Sequence, residues 1–201
     1  FDELIHHARP ASVIALSKLL TFISRAQGRG SSSSELVPSL FNRMARACSS
    51  KVAPNLHTYS ILINCFCRMG RLELGFAAFG LILKTGWRVD AIVINQLLKG
   101  LSNRKCVYEA MDILLRRMPE FGFTPDEVSY NIILKGLCDE KRIEEALQLL
   151  FHKMDDRGIS PTVVTYTIVI NGLCKVQAVD RAEGVLQQMI HKGVKPDNHT
   201  Y

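Results

Sequence analysis

The stretch GISPTVVTYTIVINGLCK, residues 158–175, decides the fold because related stretches occur along the whole chain at a nearly constant interval. Each copy contains one anchor position, and the anchors are Tyr59, Ile94, Tyr130, Tyr166 and Tyr201. Successive anchors are 35, 36, 36 and 35 residues apart. A constant period of this length indicates a solenoid, in which each repeat contacts only its neighbours.

Each copy predicts two amphipathic helices. Apolar residues stand at offsets 0, 3, 4, 7 and 8 from the anchor, as in Tyr166, Val169, Ile170, Leu173 and Cys174. That spacing is one face of an α-helix. A second pattern comes next, with small or large apolar residues at offsets 0, 3, 4, 7 and 10, beginning in one copy at Leu72. Each repeat is therefore predicted to be a helical hairpin.

Turn and cap residues mark the ends of these helices. Glycines that can adopt the left-handed conformation close the second helices, at Gly86, Gly122, Gly158 and Gly193. A side chain able to accept a hydrogen bond precedes each first helix. Two repeats have one extra residue, before Met118 and Met154. There we expect a bulge or a shifted turn in or after the second helix.

The period divides the chain into repeats. Four complete repeats are predicted at residues 56–90, 91–126, 127–162 and 163–197. A degenerate repeat, 13–55, contains the insertion GRGSSSS at 28–34, which predicts a flexible loop. Residues 1–12 look like the end of a preceding second helix, and residues 198–201 begin a further repeat. We expect either a piece of a longer array or a short array without capping units.

The composition suits a partner with negative charge. The formal net charge of the 201 residues is +6, which favours an anionic partner without naming it, and a solvated basic surface is the alternative. The hydrophobic content of 47% is ample for a shared core. No run of 18 or more apolar residues occurs, so no membrane span is predicted.

The sequence predicts neither a cofactor nor a metal site. Cys67, Cys138 and Cys174 occupy one apolar place in their first helices and are predicted to be buried in a reducing compartment. Cys65 and Cys67 have no second pair at zinc-ligand spacing. Nucleotide-binding and nucleophile motifs are missing from the sequence, so no enzymatic activity is predicted.

Two positions in every repeat hold polar residues that the buried apolar face does not explain. The reading row lies one residue after the anchor in each complete repeat and consists of Ser60, Asn95, Asn131 and Thr167, with Ser17 as the equivalent residue of the degenerate repeat. Such residues are mediocre helix formers, because their side chains compete for backbone hydrogen bonds. The cap row, just before each first helix, consists of Asn55, Asp90, Asp126, Thr162 and Asp197. Helix capping alone can explain the cap row, but two parallel rows together can read a linear polymer unit by unit.

The residues resemble a known family. The segment VVTYTIVINGLCKVQAVDRAEGVLQQMIHKGVKPD, Val163 to Asp197, resembles the pentatricopeptide repeat of the P class. The resemblance covers about residues 13–201. Residues 57–87 further resemble the plant restorer-of-fertility-like subgroup, which acts on mitochondrial transcripts. A tetratricopeptide protein, which would bind peptides, requires a 34-residue period and a different aromatic and glycine pattern.

The resemblance implies an all-α, right-handed α-solenoid superhelix that binds single-stranded RNA, one base per repeat, without chemistry of its own. It implies that the reading row contacts base edges, that the cap row assists, and that a packing row lies against base faces. The packing row consists of Ile14, His57, Ile92, Val128 and Val164. By resemblance the protein acts in an organelle, the mitochondrion being favoured over the chloroplast.

The resemblance also implies a base for each pair of reading and cap residues. Ser17 with Asn55 implies adenine, Ser60 with Asp90 guanine, Asn95 with Asp126 uracil, and Thr167 with Asp197 guanine. Asn131 with Thr162 departs from the common pairs and implies a pyrimidine, with cytosine against uracil left open. The expected core is 5′-A-G-U-Y-G-3′.

Basic residues beyond the reading row are candidates for phosphate contacts. They are Arg68, Arg71, Lys105, Lys141, Arg142 and Lys175. Solvated helix ends are the alternative explanation.

Two rival functions remain at this point. A protein-binding scaffold would need a hydrophobic groove, which the mixed polar rows do not suggest. An RNA-processing enzyme would need a further domain with acidic metal ligands. The target transcript, protein partners in RNA processing and the oligomeric state are left open.

Overall fold

The computed structural model of the chain describes residues 55–87 and 89–200, together with residue 39. Within them the regular structure is helical and no strand occurs. None of the helices in these ranges is both long and apolar enough to cross a membrane. Several predictions lie outside the described residues: the segment 1–12, most of the repeat 13–55 with its insertion, Ile14 and Ser17.

The four complete repeats each contain two helices. In chain order these are α1 (Leu56–Arg68), α2 (Leu72–Lys84), α3 (Ala91–Asn103), α4 (Val107–Asp112, Ile113–Arg117 and Met118–Glu120), α5 (Glu127–Asp139), α6 (Ile143–Gln148, Leu149–Lys153 and Met154–Asp156), α7 (Val163–Lys175) and α8 (Val179–His191). The predicted hairpins are therefore present from residue 56 onward.

The first helices bury the predicted apolar face. In α5, the side chains of Tyr130, Ile133, Leu134 and Leu137 are all 0% exposed. The equivalent residues of α1, α3 and α7 are buried as well. A 3.6-residue period places these offsets on one side of a helix, which is why the pattern could be recognised from the sequence.

The two extra residues are taken up by π-helical turns. Ile113–Arg117 in α4 and Leu149–Lys153 in α6 are π-helical, and each lies before the methionine that falls one place late. A π-turn inserts one residue into an α-helix and keeps the later residues on their original faces. Met118 and Met154 therefore keep buried positions, at 1% and 0% exposure. The expected bulge is confirmed, and it lies inside the second helix.

Two kinds of turn need the left-handed conformation. After the second helices, Gly86, Gly122, Gly158 and Gly193 have φ of 72°, 76°, 67° and 78°, as predicted. Between the two helices of each repeat, the equivalent residues are Gly70, Lys105, Lys141 and Gln177, with φ of 71°, 59°, 60° and 62°. Only one of this second set is glycine, so the sequence did not reveal this turn.

The chain divides into two compact units, Phe1–Leu97 and Leu98–Tyr201. In the first, α1 packs against α2. In the second, α7 packs against both α5 and α8, so neighbouring hairpins share one core.

Close helix approach explains a glycine in the second unit. A Cβ added to Gly172 of α7 would lie 2.5 Å from Sγ and 2.7 Å from Cβ of Cys138 in α5. Carbon atoms do not approach that closely, so a larger residue here would push the two helices apart. The equivalent Gly136 is just as restricted, since its Cβ would lie 2.5 Å from Val107 Cγ2.

The predicted burial of the cysteines is confirmed at two positions and wrong at the third. Cys67 and Cys138 are buried, and burial raises the pKa of both thiols to about 11. Cys174 is exposed, because the described part of the chain contains no later first helix to cover it as α7 covers Cys138. Within the described ranges, no group of three or more His, Cys, Asp and Glu side chains could hold a metal ion.

Candidate nucleic-acid interface

Four of the five cap-row side chains accept a hydrogen bond from a backbone N–H three residues later. Three of them cap a first helix, and Asp197 caps the turn at residues 198–200. Side-chain Oδ1 atoms accept backbone N–H groups in four pairs: Asn55 and Thr58 (2.9 Å), Asp90 and Val93 (3.1 Å), Asp126 and Ser129 (2.8 Å), and Asp197 and Thr200 (3.0 Å). The predicted capping is confirmed at these positions. All four acceptor side chains belong to exposed residues, and a carboxylate has more than one acceptor site, so capping does not exhaust the aspartates.

The reading row lies on the first helices and is partly covered. Ser60, Asn131 and Thr167 are half-buried, and Asn95 is 9% exposed. Gln96 Nε2 donates to Ser60 Oγ at 3.5 Å, so a side chain of the next repeat orients that serine. The row therefore consists of small polar groups, of which Ser60 is held by a contact with the next repeat.

The packing row is exposed. Ile92, Val128 and Val164 are 62%, 55% and 58% exposed, and His57 is exposed too. Each lies in the first turn of its first helix, directly beside the cap row. Aliphatic side chains repeated at one exposed position offer apolar contact area to a base face, and this contact does not depend on hydrogen bonding.

In the fourth complete repeat, a chain of hydroxyl groups joins the reading residue to the cap residue. Thr200 Oγ1 donates to Asp197 Oδ1 at 2.8 Å, since an ionised carboxylate can only accept. Thr167 Oγ1 lies 3.0 Å from Thr200 Oγ1, so Thr167 must be the donor of that bond. The hydrogen bonds from Thr200 and His199 lower the pKa of Asp197, which keeps it charged. Thr167 and Asp197 can therefore both accept a hydrogen bond from a ligand, and neither has a side-chain proton left to donate.

In the third complete repeat, a carboxylate joins the pair instead. Glu127 Oε1 accepts Asn131 Nδ2 at 3.0 Å and Thr162 Oγ1 at 2.5 Å. Asn131 Oδ1 is buried and has no hydrogen-bond partner. The backbone N–H of Thr162 donates to Thr165 Oγ1 at 3.2 Å, as those of Asp126 and Asp197 donate to the hydroxyls of Ser129 and Thr200. Thr162 differs from these two cap residues because its side chain donates a hydrogen bond to Glu127.

The basic candidates are not equally available for phosphate. Arg142 is 14% exposed, donates to Glu145 and lies 3.5 Å from the ring centre of Tyr108, so it serves the fold. Lys175 Nζ lies 3.5 Å from Asp139 Oδ1. A hydrogen bond from Lys135 is the main cause that lowers the pKa of Asp139, so this carboxylate stays charged. Two of the basic candidates, Arg142 and Lys175, are therefore partly neutralised by carboxylates of the protein itself.

The sequence did not reveal the partners of Ser60, Asn131 and Thr167, which are Gln96, Glu127 and Thr200. Gln96 and Thr200 lie in the next repeat, and Glu127 lies one turn before Asn131 in the same helix. Glu127 carried a usable signal, because the first residues of the other complete repeats are Leu56, Ala91 and Val163. The helix dipole also favours an acid in the first turn, so this signal singles out Glu127 without identifying its partner.

Family models match most of the chain. The model described as PPR repeat family matches residues 89–139, 125–175 and 168–201, and the one described as PPR repeat matches residues 50–79. The chain belongs to the pentatricopeptide repeat family, and the family predicted from the sequence is confirmed.

Curated relatives come from plants. Protein Rf1, mitochondrial, of Oryza sativa subsp. indica is 50% identical over 125 residues, which cover 62% of this chain and 15% of that protein. A putative pentatricopeptide repeat-containing protein of Arabidopsis thaliana, named as mitochondrial, is 32% identical over 120 residues, covering 58% of this chain and 18% of that protein. The chain thus spans less than a fifth of either relative's length.

Solved structures share the fold. The pentatricopeptide repeat protein PPR10 in complex with an 18-nt psaJ RNA element has a TM-score of 0.70 at 25% identity, covering 82% of this chain and 23% of that chain. The PPR domain of Arabidopsis thaliana protein-only RNase P 1, in complex with tRNA, has a TM-score of 0.65 at 16% identity and shows the fold alone; 93% of each chain is covered. The predicted all-α solenoid class is confirmed.

Proposed function

We propose that this chain binds single-stranded RNA sequence-specifically, one base per repeat, with a preferred core of 5′-A-G-U-Y-G-3′. The observation that carries the proposal is the repeated set of three positions: a half-buried or buried polar reading residue, an exposed cap residue and an exposed packing residue. The similarity to an RNA complex of PPR10 supports it. The first base rests on Ser17, outside the described residues.

The chemistry of the fourth complete repeat supports guanine. The Watson–Crick edge of guanine offers two neighbouring donor groups and one acceptor. Thr167 and Asp197 offer acceptors, because the Thr167 proton is used on Thr200 and Asp197 is ionised. A pair of acceptors matches the donors of guanine and leaves the acceptor-rich edge of uracil poorly matched.

The cellular role that we propose is action on a mitochondrial transcript, in processing, stability or fertility restoration. The curated relatives named as mitochondrial support this assignment. We propose that the repeats bind without chemistry of their own, so that any effect on the transcript comes from blocking, remodelling or recruiting a partner.

A gel-shift titration tests RNA reading. The chain is titrated with three oligonucleotides of equal length: the predicted core, a scrambled core and the DNA equivalent of the core. We expect the core RNA to bind about tenfold or more tightly than the other two, since several bases are mismatched in the scrambled RNA. Equal affinity for all three would contradict the proposal and favour the protein-scaffold alternative.

The register of the reading row is tested by Asn95→Thr. This change gives the second complete repeat the same reading and cap residue types as the fourth, Thr with Asp, while the cap residue Asp126 stays in place. We expect the preference at the third base to move from uracil to guanine, measured with four RNAs that differ only there. An unchanged preference would reject the assigned register.

A further inference from the structure

We infer that Glu127 is a specificity-determining residue that makes the third complete repeat select cytosine over uracil. The inference rests on the proposed function, and it concerns the one base left open between the two pyrimidines. It is based on the contacts of Glu127 with both residues predicted to read that base.

The geometry places the carboxylate within the reading pair. A single oxygen, Glu127 Oε1, accepts from Asn131 Nδ2 at 3.0 Å and from Thr162 Oγ1 at 2.5 Å. A base that contacts Asn131 and Thr162 together must therefore come close to Glu127. The pair in the next repeat is built differently, since Thr167 and Asp197 are joined through a hydroxyl.

Glu127 also sets which groups the pair presents. A carboxylate cannot face Asn131 Oδ1, so the amide is turned with its nitrogen towards Glu127, and Oδ1 is left buried without a partner. The only hydroxyl proton of Thr162 is used on Glu127, so Thr162 can act on a base only as an acceptor. The cluster thus contains acceptors on Glu127 and Thr162 and one remaining N–H of Asn131.

This set of groups distinguishes the two pyrimidines. Cytosine has an amino donor at the position where uracil has a carbonyl acceptor. The amino group can donate to the carboxylate, as cytosine N4 donates to Glu and Asp in other nucleic-acid complexes. The uracil carbonyl would instead face an ionised acceptor and gain no hydrogen bond. The remaining Asn131 N–H can donate to the ring nitrogen N3 of cytosine, which lies next to the amino group.

The test uses the full chain and RNAs that differ only at the fourth core base. We expect wild-type protein to bind the cytosine RNA about tenfold more tightly than the uracil RNA, since one charge-assisted hydrogen bond separates them. Glu127→Ala, which copies Ala91 of the preceding repeat, should reduce that ratio to within about twofold. Guanine preference at the fifth base, read by Thr167 and Asp197, should be unchanged.

A reciprocal variant tests the same idea without weakening the third repeat. Ala91 and Asn95 have the same four-residue separation as Glu127 and Asn131, so Ala91→Glu places a carboxylate one helical turn from the reading asparagine. We expect this variant to move the third-base preference from uracil towards cytosine. Glu127→Gln, which keeps the volume and adds an N–H donor for the uracil carbonyl, should lower the cytosine-to-uracil ratio.

The outcomes separate this inference from the proposed function. An unchanged cytosine-to-uracil ratio in Glu127→Ala, or an equal loss of affinity for both RNAs, would show a merely structural role and overturn the inference while leaving RNA reading intact. Equal binding of the core and the scrambled RNA by the wild-type chain would overturn the proposed function, and the inference with it.

Discussion

The third and fourth complete repeats, 127–162 and 163–197, have the same core and different polar contacts. Tyr130 and Tyr166 are both 0% exposed, and their first helices have 13 residues each. The second helices differ, because α6 contains a π-turn and α8 does not. The apolar stack thus accepts an extra residue without change, whereas the polar pair depends on single side chains such as Glu127.

The largest expected effect is the difference in stability between two variants, one with a single residue deleted from α6 and one with a single residue deleted from α8. Deleting the exposed His152 from the π-turn of α6 should bring Met154 to offset 10, the place of Met189 in α8. We expect the free energy of unfolding to change by less than about 1 kcal/mol, because the buried face is kept. Deleting the exposed Gln187 from α8 should turn Met189 about 100° from its buried side and cost about 2–5 kcal/mol.

Urea unfolding followed by circular dichroism checks both deletions. The two variants remove one exposed residue each from equivalent helices, so each is the control for the other. A loss for the His152 deletion as large as that for the Gln187 deletion would show that the π-turn is required for packing and does more than absorb an insertion.

A smaller difference is expected in the pH dependence of stability. The folded-state pKa of Cys138 is about 11, above its ordinary value of 9.0, because burial disfavours the thiolate. As the pH rises, the unfolded chain therefore loses this proton before the folded chain does, which favours unfolding. The contribution of the Cys138 thiol to the free energy of unfolding is fully present below pH 9 and is lost between pH 9 and pH 11. The loss should be about 2 kcal/mol.

Two cysteine variants isolate that contribution. Cys138→Ala should reduce the loss of stability between pH 9 and pH 11, measured by urea unfolding at several pH values. Cys174→Ala is the matched control from the fourth repeat, because that side chain is exposed in the folded chain. Equal pH profiles for the two variants would contradict the assignment.

The smallest expected effect concerns the contact between the two repeats. Gly172→Ala should cost about 1 kcal/mol net, since overpacking against Cys138 costs somewhat more than the helix propensity of alanine gains. Gly184→Ala in α8, where nothing lies within 4 Å of the new Cβ, should instead stabilise by up to about 1 kcal/mol. Thermal unfolding of both variants checks the sign, and stabilisation by Gly172→Ala would refute the close approach.

Much of the fold was predictable because its signals are local. The buried face of α5, the left-handed Gly158 and the capping Asp126 depend on residues within about one helical turn, so each can be read from a short window of sequence. The bulge near Met154 was predictable from a count of residues between anchors. The left-handed Lys141 was not, because lysine carries no preference for that conformation.

The candidate site was predictable as positions but not as contacts. The reading and cap rows follow from the period, and the structure places both rows at the first helices. The bond from Thr162 to Glu127 joins residues 35 apart, and that between Thr167 and Thr200 joins residues 33 apart. No local pattern predicts which side chains meet over such separations.

The sequence by itself determined the period, the helical hairpins, their caps and their buried faces, because these depend on neighbours within one repeat. Only the tertiary structure decided that a side chain at Gly172 would collide with Cys138 and that Glu127 contacts Thr162, 35 residues away along the chain. These features depend on the distance between stacked repeats, which is set by packing.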